Sequence, residues 1–154
     1  MNFKEQRERK AFLVLADGTV FYGYSVGANV DACGEVVFNT SSSGYIEILS
    51  DPACSGQIVV MTAPEAGNCG VNAEDMVSPK FCAAGFIIRE LNEPSNWRSE
   101  ESLQNALARY GIPAIAGIDT RALTLHLREN GSQKGFICAS GKTNPETAVK
   151  EQLN

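Results

Sequence analysis

At 154 residues, with 44% hydrophobic and 20% charged side chains, the chain has the make-up of one globular domain that buries a substantial core. Its formal net charge of −5 counts against phosphate-backbone binding as the main task, so no nucleic acid partner is expected. The longest apolar run, Phe81–Ile88 broken by Gly85, falls far short of the ~20 residues of a membrane span, and no membrane partner is expected.

The first ten residues form a charged lead-in, in which Lys4, Arg7, Arg9 and Lys10 alternate with Glu5 and Glu8. Four bases and two acids give it +2, so residues 11–154 carry −7. This head reads as a solvated segment, and it lacks the apolar core of a secretory signal. Five cysteines, Cys33, Cys54, Cys69, Cys82 and Cys138, are an odd number without a C-x-x-C pair. No structural metal site is expected from them, and a reducing, cytoplasmic setting is the simplest one.

Ala11–Ala16 is an apolar run, Asp17-Gly18 is a turn dipeptide, and Thr19–Tyr24 is rich in aromatic and β-branched residues; together they predict a β-hairpin. Glu35–Thr40 and Gln57–Thr62 are apolar on both faces, as in strands covered from two sides. The connection between them, small and nearly uncharged, suits a backbone packed closely against something. A Gly-, Asn- and Pro-containing loop from Pro64 to Pro79 then leads into a strand over Phe81–Glu90.

Helical spacing follows. Ser99 is placed to cap a helix reaching about Tyr110, with Leu103 and Leu107 four apart and Gly111 closing it. Pro113–Ile118 reads as a strand, and Asp119 as the cap of a helix over Thr120–Asn130, with Leu123 and Leu127 facing inward and Gly131 ending it. Gly135–Ser140 is a last strand. Asn144-Pro145 is a cap plus first-turn proline opening a helix with Val149 and Leu153 as its apolar stripe. A helix so short is marginal alone; either it packs on this domain or it leads into a second one. The fold class expected is α/β: a single β/β/α-type domain with mixed β-sheets in the front half and strand–helix units in the back half.

Segments LVLADG (13–18), GEVVFNT (34–40), GYIEIL (44–49), Asp51-Pro52, GQIV (56–59), GNCGVN (67–72), Arg89-Glu90-Leu91, SNWR (95–98), and GIDTRALTLHLRE (117–129) followed by Gly131 stand in order along the chain. Through these segments, with matching gaps over roughly residues 11–140, the chain resembles the N-terminal domain of the small, glutamine-hydrolysing subunit of carbamoyl phosphate synthetase. The resemblance implies a scaffold domain over residues 11–140, with residues 141–154 starting a linker or helix towards a class I glutaminase domain. It implies two partners: that glutaminase domain and the large synthetase subunit. The whole enzyme would make carbamoyl phosphate from glutamine, bicarbonate and ATP, for pyrimidine and arginine synthesis. ATP and Mg belong by this reading to the large subunit, and no cofactor is expected in this chain. A free-standing interaction module related to that domain is the alternative.

A family glutaminase uses a cysteine on a G-x-C-x-G turn and a later H-x-E, and neither motif occurs in this sequence. In Gly67-Asn68-Cys69-Gly70-Val71 the second glycine falls a residue early, where a nucleophile elbow requires it later for the sharp turn. Cys69 therefore reads as filling a small site, and a Cys69–His126 dyad is set aside. A mobile phosphohistidine role for His126 is set aside too, because it lies mid-helix between Leu125 and Leu127. No catalytic residue is expected here.

The remaining expectations concern contacts. The resemblance puts the residue after Asp51-Pro52 at the edge of the glutamine site, where a small hydroxyl residue helps to hold substrate. Here it is Ala53, so shape or backbone alone would contribute, and a plain turn explains the segment equally. Ser43, Gly44 and Tyr45 are interface candidates set against a tight structural turn. Trp97 and Arg98 are set against a role clamping the helix entry to the core. Arg121 and Arg128, two turns apart on one helix face, suit an acidic partner surface or plain solvent.

Overall fold

The computed structural model describes residues 10–39, 45–62, 77–89, 103–141 and 143–153. Strands β1 (Lys10–Leu15) and β2 (Val20–Ser25) form the hairpin expected from Asp17-Gly18. The Leu15 amide donates to the Thr19 carbonyl at 2.9 Å and the Gly18 amide to the Leu15 carbonyl at 2.8 Å. Gly18 takes φ of 90°, a left-handed value that a residue without Cβ adopts at no steric cost.

The other strands are β3 (Ala32–Asn39), β4 (Gln57–Met61), β5 (Gly85–Ile87), β6 (Ala114–Ala116) and β7 (Gln133–Cys138). All seven close into one barrel in the order β1-β2-β6-β5-β4-β3-β7. The run β3-β4-β5-β6 is parallel, and β1 with β2 and β7, β2 with β6 and β3 with β7 are antiparallel. A single α/β domain is borne out. In chain order strands dominate the front half and strands alternate with helices in the back half, as expected; the strands of both halves join one sheet, with β7 between β1 and β3 and β6 beside β2. Closure gives every strand a neighbour on both sides, although β2 meets β6 through Tyr24 and Ser25 alone; an open sheet of this size would expose two whole edges.

The crossovers that parallel pairing demands carry the helices. Helix α1 (Tyr45–Ser50) and a 3₁₀ turn (Pro52–Cys54) lie between β3 and β4, α2 (Leu103–Arg109) between β5 and β6, and α3 (Thr120–Asn130) between β6 and β7. Helix α4 (Pro145–Gln152) follows β7. Side chains alternate along each strand, and the alternation decides who fills the barrel. Leu13, Leu15, Val36, Ile58, Val60, Ile87, Ile115 and Ile137 make one interior cluster, closed by Leu123 and Leu127 of α3. The intervening residues Val59, Met61, Phe86, Ile88 and Ala114 pack outward with Ile46 and Leu49 of α1 and Leu103 and Leu107 of α2. Phe12, Val14, Phe136 and Cys138 face outward under Ala148, Val149 and Leu153, so the last helix packs on this domain.

Caps fall where the side chains call for them. Asp119 accepts from the Ala122 amide at 3.0 Å and Asn144 from the Thr147 amide at 2.8 Å. Boundaries move more. The strand expected over Phe81–Glu90 contracts to β5 because the amides of Cys82 and Ala83 turn aside to the Leu49 carbonyl, at 2.6 and 3.2 Å. The Ser99 cap lies outside the described residues.

Two interior features generate tests. A Cβ on Gly135 would lie 2.5 Å from Val36 Cγ2 and 3.1 Å from Leu13 Cδ1, so the barrel has no room for it. Gly135→Ala is expected to cost about 1–3 kcal/mol through overpacking; an unmoved urea midpoint would show that the neighbours yield freely. Thr124, only 7% exposed, has a hydroxyl without a hydrogen-bond partner among the described residues. Thr124→Val removes that uncompensated desolvation and is expected to stabilise by roughly 1 kcal/mol; a lowered Tm would contradict it.

Candidate functional site

The Asp51-Pro52-Ala53 turn is built locally. The Asp51 carboxylate accepts the Ala53 amide at 3.0 Å, Pro52 sets the first helical φ, and the Cys54 amide donates to the Asp51 carbonyl at 2.9 Å. Ala53 is exposed, so the surface here consists of a methyl group and backbone with no hydroxyl at that position. What holds the turn is a residue that sequence reasoning passed over. Ser50 is fully buried; its hydroxyl donates to the Ile46 carbonyl at 2.7 Å and accepts from the Val77 amide at 2.9 Å. Its carbonyl accepts from the Ser78 hydroxyl at 2.5 Å. The turn therefore rides on the strap of residues 77–83. The signal was a serine ending a short helix, where carbonyls without intrahelical donors need partners.

Cys54 in this turn is not poised as a nucleophile. Burial, then the charges of Asp51 and Cys82, push its thiol pKa up, the opposite of the shift that makes a reactive thiolate. Cys69 lies outside the described residues. No group of three or more His, Cys, Asp and Glu residues suited to a metal ion occurs among the described residues.

His126 does meet an acid. Its Nε2 lies 2.6 Å from Asp17 Oδ2 and 3.5 Å from Thr19 Oγ1, and its Nδ1 lies 3.5 Å from the Asn130 amide nitrogen. A relay needs the acid on one ring nitrogen and the nucleophile on the other. Here carboxylate and hydroxyl share Nε2, so the arrangement ties the β1–β2 turn to α3 and transmits no proton to Thr19. Gln133 completes the tie from β7, donating to Asp17 Oδ2 at 3.1 Å and accepting the Asp17 amide at 2.9 Å.

Partial burial works against ionisation of Asp17, but hydrogen bonds from the Thr19 amide, His126, the Thr19 hydroxyl and Gln133 outweigh it and hold the carboxyl well below its ordinary 3.8. A lowered folded pKa stabilises above the unfolded value, and the stabilisation is lost as pH falls through the folded one. Asp17→Asn is therefore expected to cost on the order of 1 kcal/mol at neutral pH, modest because the pair is partly solvated. The gap between wild type and variant closes below about pH 4; denaturation series that keep a constant gap down to about pH 3 would exclude this role.

The expected contact residues divide. Ser43, Gly44, Trp97 and Arg98, with the side chain of Tyr45, lie outside the described residues. Arg121 and Arg128 are both exposed on α3, whose buried face carries Leu123, Thr124 and Leu127. The Arg128 guanidinium lies 5.3 Å from the centroid of the Phe38 ring, a cation–π contact that fixes its direction. Leu125, 56% exposed, lies between them and was missed; its place four residues after Arg121 was the available clue.

The family model for the carbamoyl-phosphate synthase small chain, CPSase domain, matches residues 13–137. A small chain of this synthase from Fusobacterium nucleatum is 50% identical over 139 residues, which is 90% of this chain and 39% of that protein. One from Ralstonia nicotianae is 54% identical over 140 residues, covering 90% and 37% respectively. That from Thermotoga maritima is 48% identical over 143 residues, covering 92% and 36%. The chain thus spans somewhat over a third of the length of the curated relatives it matches. It belongs to the carbamoyl-phosphate synthase small-chain family, within the CPSase domain.

Proposed function

We propose that this chain is the non-catalytic scaffold domain of the small subunit of glutamine-dependent carbamoyl phosphate synthetase. It docks the large synthetase subunit and walls one side of the glutamine site of a class I glutaminase domain. The observation that carries the reading is the Asp51–Cys54 turn, exposed at Ala53, closed by its own Asp51 carboxylate and preceded by Ser50, which Val77 and Ser78 hold in place. A surface so held contributes shape without supplying a reactive group, which is what a wall beside another domain's active site requires.

In this scheme glutamine hydrolysis happens on the glutaminase domain, and ammonia reaches the large subunit, where ATP and Mg act on bicarbonate. A rigid wall keeps water out, so ammonia neither escapes nor gains a proton on the way. Asp17 and His126 bond each other in a structural tie, and burial pushes the Cys54 thiol towards its protonated form.

Mixed with a folded large subunit, the chain is expected to co-elute with it in size-exclusion chromatography at micromolar concentrations, and alone to show no glutamine hydrolysis. Separate elution of two folded proteins would refute the docking role. Turnover by the isolated chain that disappears in Cys69→Ala would refute the non-catalytic one.

A further inference from the structure

Strand β2 has an outer edge that the barrel uses only in part. The Leu15 amide bonds the Thr19 carbonyl at 2.9 Å, so by antiparallel alternation the backbone groups of Phe21 and Gly23 turn towards β1. Those of Val20, Tyr22 and Tyr24 turn the other way. On that side β6 meets Tyr24 and Ser25, and the Val26 amide still reaches the Ala114 carbonyl at 3.0 Å. Past Ala116 the neighbouring chain leaves: the Gly117 amide goes to the Arg89 carbonyl at 2.8 Å, and α3 begins at Thr120. The outward amides and carbonyls of Val20 and Tyr22 thus have no backbone partner among the described residues.

Nothing in the sequence guards this edge. Between Asp17 and Asp31 there is no charged residue and no proline, the devices that commonly keep an open strand from pairing. Tyr22 is 68% exposed. With Val20 it borders a groove of about 740 Å³ that Pro145 and Val149 of α4 also line. A row of free donors and acceptors recognises another extended backbone, and a groove beside it receives a side chain that arrives with that backbone.

The edge is complementary to itself. A two-fold axis through Phe21 sets Val20 of one copy opposite Tyr22 of its partner, and Tyr22 opposite the partner's Val20. The outward groups of both pairs then meet in the hydrogen-bonded register, and none is left over. Each Tyr22 ring stands across from a Val20 side chain, on the face that carries the groove. Such a contact occupies the edge in both copies and closes, so it yields a dimer and no fibre.

We infer that two copies of this chain pair edge to edge, β2 against β2 in antiparallel register about Phe21, with each Tyr22 packed over the other copy's Val20 and α4 groove. This is independent of the docking role proposed above.

The test is sedimentation equilibrium of the 154-residue chain from micromolar to millimolar concentration, with amide hydrogen exchange read at both ends of that range. Wild type is expected to pass from monomer to dimer, and the amides of Val20 and Tyr22 to slow in the dimer, while those of Phe21 and Gly23, bonded to β1, stay slow throughout. Tyr22→Lys, at an exposed position, is expected to keep the fold and to weaken association about tenfold or more. A wild type that stays monomeric at millimolar concentration would overturn the inference. So would a dimer that Tyr22→Lys leaves unchanged, or one in which the Val20 and Tyr22 amides exchange as fast as in the monomer. A monomer in which those two amides slow only on addition of the large subunit would give the edge to a strand of that protein and overturn self-pairing.

Discussion

Strand β7 is hydrogen-bonded on both sides, to β1 through Phe12↔Cys138 to Leu15↔Gly135 and to β3 through Ala32↔Ile137 to Val36↔Gln133, and this double pairing closes the barrel. The geometry works only if the inward positions of three strands fit together. Gly135 faces Gly34 across one pair and lies beside Leu13, Leu15 and Val36, with no space for a methyl group. Gly85 stands in the same relation to Ile137, whose Cδ1 would meet a Cβ at 2.4 Å. Bulk on one strand is matched by its absence on the next, as close packing demands. Since β1 and β7 are more than 100 residues apart in sequence, their pairing brings a large loop-closure cost before it returns any contact energy.

Closure also sorts the surfaces. The parallel half of the barrel carries α1 and α2 on its outside, because a parallel neighbour can be reached only by a crossover that passes over the sheet. The antiparallel half takes α4 across β1 and β7. Helix α3 sends Leu123 and Leu127 into the interior cluster, and its outer face is left for other contacts. Both the Asp51–Cys54 turn and the exposed arginines of α3 therefore lie on connections between strands of the barrel, the usual home of binding residues.

The polar groups that suggest chemistry are absorbed by architecture. Asp17, His126, Gln133 and Thr19 join a hairpin turn to a helix and a strand, and Ser50 and Ser78 join α1 to the strap beneath the turn. Such networks hold their place because each donor and acceptor removed from water has found a partner. Thr124 is the exception among the described residues.

Local rules made the hairpin at Asp17-Gly18, the Asp119 and Asn144 caps, the span of α3 and the two-sided burial of β4 legible in the chain, since each depends on a few neighbouring residues; β3, expected to be covered on both faces, buries Val36 fully and leaves Val37 and Phe38 half-buried. The exposed arginine pair was legible for the same reason, being a matter of helical spacing. Other features needed the folded chain. Retraction of β5 to three residues follows from Leu49 drawing off the amides of Cys82 and Ala83, and the clamp on Ser50 comes from residues 27 and 28 positions away. The meeting of Asp17 with His126, 109 residues apart, and the place of β7 between β1 and β3 also required it. Hydrophobic periodicity tells each strand which face to bury, but nothing in a single strand names its neighbour; that choice belongs to the one closed arrangement in which all the inward side chains fit at once.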